Sequence, residues 1–241
     1  MPLSGSSDLK DFFARTAAAL ARAWEAADVE SGGQVSPPQL IDAIAQILDV
    51  LEQLDEQYGE TGAVLSDDPS QLGDYAIGFL SDLGVWADRI GHRELRVDLD
   101  KIALGVAHWV VRHDGEIRTL EPVVNALAAS ANSTQDPDTL EILNRMLRDI
   151  IEHSSPAIKS DLEKSDPTRP WRILNFNYAI VATRTQKREL MEKAFDTLSR
   201  NLPEDAAAFF EEGLKQAEKE VYGPEVKALM QEYFSKWATR H

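Results

Sequence analysis

Apolar residues recur at intervals of three and four along most of this chain. Leu40, Ile41, Ile44, Ile47, Leu48, Leu51 and Leu54 make one stripe, with Asp42, Asp49, Glu52, Asp55 and Glu56 on the opposite face. Leu140, Leu143, Met146, Leu147, Ile150 and Ile151 make a second. Leu190, Met191, Ala194, Phe195 and Leu198 make a third, and Val226, Leu229, Met230, Tyr233, Phe234 and Trp237 a fourth. Such spacing gathers the apolar side chains on one side of an α-helix, which then has to be buried. No stretch alternates apolar and polar positions convincingly, and no Asn-Gly or Asp-Gly turn lies between two alternating runs.

The breaks between stripes carry helix-start signals. Ser36-Pro37, Asp68-Pro69, Asp136-Pro137 and Ser155-Pro156 each put a capping side chain before a proline. The oxygen can accept an orphan N–H of the first turn, and proline there lacks a donor that would go unsatisfied. Pro170, Pro203 and Pro224 start helices the same way but without a good cap before them, and Gly91 and Gly115 stand where a left-handed residue would end one. The pattern predicts eleven helices, near residues 8–28, 37–58, 70–90, 95–113, 119–131, 137–153, 156–164, 170–184, 187–200, 204–220 and 224–239. The fold class is therefore all-α. Short connections make consecutive helices antiparallel, which gives either stacked helical hairpins or a compact helical bundle. The longest connection, 59–69, is the expected boundary between an N-terminal hairpin, 1–58, and a hairpin array, 70–241, unless one domain spans 1–241.

Residues 172–205 decide between the two architectures, because they resemble a tetratricopeptide repeat, a helix-turn-helix unit of about 34 residues. Ala179 falls on the family's small residue, Phe195 on the large aromatic of its second helix, and Pro203 on its terminal proline. The following window keeps Gly213 at the small position and has Leu229 at the aromatic one. Asn175 stands where the family usually has an aromatic, and Met191 where it has alanine. The resemblance implies hairpins stacked as a short α-α superhelix that binds a peptide or helix. Some family members grip a peptide's terminal carboxylate from first-helix positions that correspond here to Phe176 and Ile180. Neither side chain can donate a hydrogen bond, so that clamp is not expected.

Charge adds an asymmetry. The 241 residues carry 25 basic and 41 acidic side chains, a formal net charge of −16. Residues 1–100 hold 6 basic and 19 acidic side chains, net −13, and residues 101–241 hold 19 and 22, net −3. No Lys, Arg or His lies between Arg22 and Arg89, whereas fourteen Asp and Glu do. This is either a solvated face or a surface that steers a basic partner. A nucleic acid partner is excluded, since its phosphates would be repelled. The acidic residues and charges near the N-terminus do not fit a secretory signal or transit peptide. The nearly uncharged run Ile102–Val111 is about half of a membrane span. The reading is a cytoplasmic protein with no membrane association.

The chemistry-bearing patterns mostly exclude. With no cysteine there is no disulfide, thiolate zinc site, iron–sulfur cluster or cysteine nucleophile. Residues 28–36 look like an eroded EF-hand loop, but the twelfth position is Gln39 and the fifth is Gly32, which removes two calcium ligands. Residues three before His92, His108, His113, His153 and His241 are Arg89, Gly105, Val110, Ile150 and Ala238, so no Glu-x-x-His pair exists for a di-metal bundle site. Neither a Gly-x-Ser-x-Gly elbow nor a Walker loop occurs. No metal or cofactor is expected.

One segment stands out. Ile173–Thr183 (ILNFNYAIVAT) contains no charge, and apolar residues cover every face of the helix it predicts. Enclosure would leave Asn175, Asn177 and Tyr178 needing partners, and the simpler reading is a satisfied polar network in a core. The functional reading turns an amide toward a groove that binds a peptide or small polar ligand, with Arg172 and Arg184 supplying an anion contact. Arg172, Asn175, Asn177, Tyr178 and Arg184 are accordingly the candidate binding residues. The function expected is a non-enzymatic protein–protein interaction or scaffold module whose partner is a protein or peptide, basic where the acidic region takes part. The alternatives are a small-molecule-binding or enzymatic all-α protein with a pocket beside helix 170–184, and an acidic decoy for a basic protein.

Overall fold

A computed structural model of the chain describes residues 5–59, 68–219 and 222–238. Among these residues there are eleven helices and no strand. They are α1 (Ser6–Ala27), α2 (Pro37–Tyr58), α3 (Asp68–Arg89), α4 (Arg93–Arg112), α5 (Glu121–Ser133), α6 (Pro137–His153), α7 (Pro156–Lys159), α8 (Pro170–Thr185), α9 (Arg188–Asn201), α10 (Pro203–Lys219) and α11 (Pro224–Ala238). The start signals act as local physics requires. Gln39 Oε1 accepts from both the N–H and the hydroxyl of Ser36, at 3.1 and 2.9 Å. The Asp136 carboxylate accepts the Thr139 N–H at 2.9 Å and its hydroxyl at 2.6 Å. The Asp68 side chain lies outside the described residues.

Two local expectations need correction. The helix predicted over 156–164 ends at Lys159, because Asp161 takes a left-handed conformation (φ 46°) and gives its carboxylate to Arg169. Gly91 is left-handed as expected (φ 78°), but after α4 the left-handed residue is Asp114 (φ 57°) and not Gly115. Gly115 is needed for close approach. A Cβ there would come within 2.8 Å of Val110 Cγ1 and 3.2 Å of the Ser70 nitrogen.

The chain divides into two compact units, residues 1–127 with 153–155, and residues 128–152 with 156–241. The boundary expected at 59–69 falls inside the first unit. Residues 60–67 lie outside those described, and the helices on either side, α2 and α3, pack together. In the first unit α1 packs on α2, α2 on α3, α3 on α4, and α4 back on α1. Four helices thus share a core built from Leu20, Ile44, Leu51, Leu83 and Ile102. An isolated α1–α2 hairpin would leave its stripes half covered; α3 and α4 cover them. Asp55 joins this interior, its Oδ1 2.9 Å from Trp109 Nε1 and 2.8 Å from His113 Nε2.

In the second unit α8 pairs with α9 and α10 with α11, and α9 packs on both α10 and α11. These are two successive helical hairpins. Phe195 of α9 meets Phe210 of α10 and Tyr233 of α11 edge-on, with ring centroids 5.1 and 5.2 Å away. Gly213 lets α10 and α11 approach, since a Cβ there would lie 2.9 Å from Met230 Sδ. Among the described residues no helix is long and apolar enough to cross a membrane.

Candidate functional site

Helix α8 has no charged residue between Arg172 and Arg184, and it separates two concavities. Phe176, Ile180 and Thr183 repeat at four and seven residues and face one of them; Trp171 and Tyr178, seven apart, face the other. The uncharged run is therefore not enclosed on every side. Ile180 is 45% exposed.

The first concavity is an apolar groove of about 460 Å³. Phe176 and Ile180 form its α8 wall, Phe209 and Gly213 its α10 wall, and Met230 of α11 its floor. Phe176 and Phe209 pack at 4.9 Å between centroids. Arg172 edges the groove with its guanidinium 4.1 Å from the Phe176 centroid, a cation–π contact that also shields the ring. Phe176 and Ile180, which α8 turns into the groove, are both apolar and donate no hydrogen bond.

The second concavity, of about 350 Å³, lies among α6, α7, α8 and α9. Arg148 and Glu152 of α6, Lys159 of α7, Trp171 and Tyr178 of α8, and Arg200 of α9 contribute to its wall. Tyr178 is 2% exposed, and burial pushes its phenol above the ordinary value, with Glu152 and Asp149 adding to the shift and Arg148 opposing it. It is a neutral phenol at physiological pH.

The five candidate residues thus have different surroundings. Asn175 is fully buried, donates Nδ2 to the Trp171 carbonyl at 2.9 Å and accepts from Asn201 Nδ2 at 2.8 Å. Of the network expected around Asn175, Asn177 and Tyr178, this is the part that is paired. Asn177 lines neither concavity, and its Nδ2 is buried without a partner among the described residues. Arg172 donates to Asp205 at 2.9 Å and to the Pro167 carbonyl at 3.1 Å. Asp205 is shared with Arg169, which also grips Asp161 through Nε and Nη2 at 2.6 and 3.0 Å. Arg184 donates to the carbonyls of Ala131 (2.6 Å) and Thr134, satisfying the end of α5. The anion contact expected from Arg172 and Arg184 is in both cases already made within the protein, to a carboxylate or to carbonyl oxygens.

Sequence reasoning passed over Arg148, Lys159 and Arg200. Their spacing carries no motif. The one available signal was the rise in basic residues after residue 100, which shows where cations gather but not which of them converge.

The turn at 28–36 is held by the protein's own groups. Trp86 Nε1 donates to the Val35 carbonyl at 3.1 Å, and Arg89 to Gln34 Oε1 at 2.6 Å. Among the described residues no three His, Asp or Glu side chains converge as metal ligands. No family model, curated protein or solved structure matches the chain.

Proposed function

We propose that this protein is a non-enzymatic interaction module whose second unit docks an extended or helical peptide segment in the groove between α8 and α10. The observation that supports the reading is the apolar groove itself. Phe176, Ile180 and Phe209 line an open concavity between the first helices of successive hairpins. Aromatic and aliphatic side chains in such a groove take the apolar face of a partner segment. Basic residues flanking the partner's apolar anchors would be met by Glu212 at the groove wall, away from Arg172 at its edge.

Selection of a displayed random-peptide library on the full chain tests this. The expected result is enrichment of peptides with apolar anchors at helical spacing flanked by Lys or Arg. Ile180→Glu should abolish their binding, because it places a carboxylate on the groove wall. Absence of enrichment, or enriched peptides that bind Ile180→Glu undiminished, would overturn the reading.

A further inference from the structure

We propose that the concavity among α6, α7, α8 and α9 binds a small organic oxyanion, a carboxylate or phosphate ester, whose charge is met by Arg148, Arg200 and Lys159. This goes beyond the peptide groove and lies on the other face of α8, so either assignment can fail alone.

The argument starts from charge. In a chain of net charge −16, three cations and one carboxylate, Glu152, share the wall of a single concavity. Like charges are not brought together without cost, and the carboxylates present offset them only in part. Arg148 is oriented by Asp149, to which Nε and Nη2 donate at 2.9 and 2.7 Å, and it lies 4.0 Å from Glu152. Lys159 donates one N–H to the Glu152 carbonyl at 2.7 Å and has two left to donate. Arg200 has no ion pair or hydrogen bond among the described residues.

A second, independent observation is the polarity of what remains uncommitted. Trp171 is 5% exposed, and its Nε1 is buried without a partner. Tyr178, 2% exposed, lines the same space with a hydroxyl that has no hydrogen-bond partner among the described residues. An indole nitrogen only donates, as do guanidinium and ammonium groups, and a neutral phenol can donate. Set against Glu152, Thr197 and Asn201, which can accept, the three cations, the phenol and the indole give the wall an excess of donors. Its complement is a group that only accepts, which is a deprotonated carboxylate or phosphate. Arginine forks recognise either through paired N–H donors. About 350 Å³ is the size of a small-ligand site, and the indole and phenol rings give an apolar surface for the ligand's body.

The test uses the full chain, with phenyl phosphate and benzoate as probes and two-dimensional NMR of the indole and arginine Nε signals as the readout. The expected result is saturable movement of the Trp171, Arg148 and Arg200 signals by at least one probe, the tighter probe naming the headgroup. Arg200→Gln, an exposed position, should weaken that binding about tenfold or more, as loss of a charged hydrogen bond does. Arg188→Gln, whose side chain points to Glu192 and Glu232, should leave it unchanged. No saturable movement with either probe would overturn the proposal, and so would equal affinity in Arg200→Gln.

Discussion

Asn201 donates its side-chain amide to Asn175 Oδ1 at 2.8 Å, while Asn175 returns its own Nδ2 to the Trp171 carbonyl one helical turn back. The buried amide on α8 is thereby paired on both sides, and it ties α8 to the end of α9. Asn175→Leu removes the acceptor for Asn201 and should lower stability by roughly 1–3 kcal/mol, read as a shift in the urea midpoint. Asn177→Leu is the contrast. Its Nδ2 is already buried without a partner, so replacement removes a desolvated donor, and stability should be unchanged or raised. Equal losses in both variants would contradict this division of roles.

The eleven helices were legible because their signals are local. Stripes such as Leu140–Ile151 report which face is buried, Asp136 caps the helix it precedes, and Gln39 reaches back to the Ser36 N–H at the start of α2. What the stripes do not encode is which helix covers which. The ring of α1 to α4 depends on contacts distant in sequence, so a long connection at 59–69 looked like a boundary although α2 and α3, on either side of it, pack together. Helix α8 shows the same limit. A side chain such as Asn175 and one such as Asn177 are indistinguishable by composition; what separates them is the pairing of Asn175 with the Trp171 carbonyl and with Asn201 on α9. Arg148, Lys159 and Arg200 converge solely through the packing of three helices.

A pH dependence follows from Asp100 on α4. Burial pushes its carboxyl up to about 6, against the opposing pull of Arg96, whose Nε lies 3.2 Å away. The folded chain then holds this proton more firmly than the unfolded chain does. Stability should fall as pH rises through the window from about 4 to about 6, and return as pH falls. At about 1.4 kcal/mol per pKa unit the loss at neutral pH is at most about 3 kcal/mol. Asp100→Asn keeps an acceptor for Arg96 and should stabilise the protein at pH 7 but not at pH 4. Urea denaturation at the two pH values decides it, and parallel curves for the variant and wild type would contradict it.

Asp55 separates a structural carboxylate from a merely solvated one. By periodicity it belongs to the outward face of α2 with Asp49, Glu52 and Glu56. Its side chain is nevertheless only 8% exposed, and Oδ1 meets Trp109 Nε1 at 2.9 Å and His113 Nε2 at 2.8 Å. Trp109 Nε1 can only donate, and Asp55 Oδ1 is its acceptor. Asp55→Leu leaves two buried ring nitrogens without this partner, at roughly 1–3 kcal/mol each. Glu56→Gln, on the exposed side, should change stability by less than about 0.5 kcal/mol. Thermal melts of the two variants check the difference. If the acidic N-terminal region steers a basic partner, exposed carboxylates such as Glu56 contribute to it, and the association rate should fall when they are neutralised or salt is raised. Any effect of replacing Asp55 on that rate would instead follow from the lost anchor between α2 and α4.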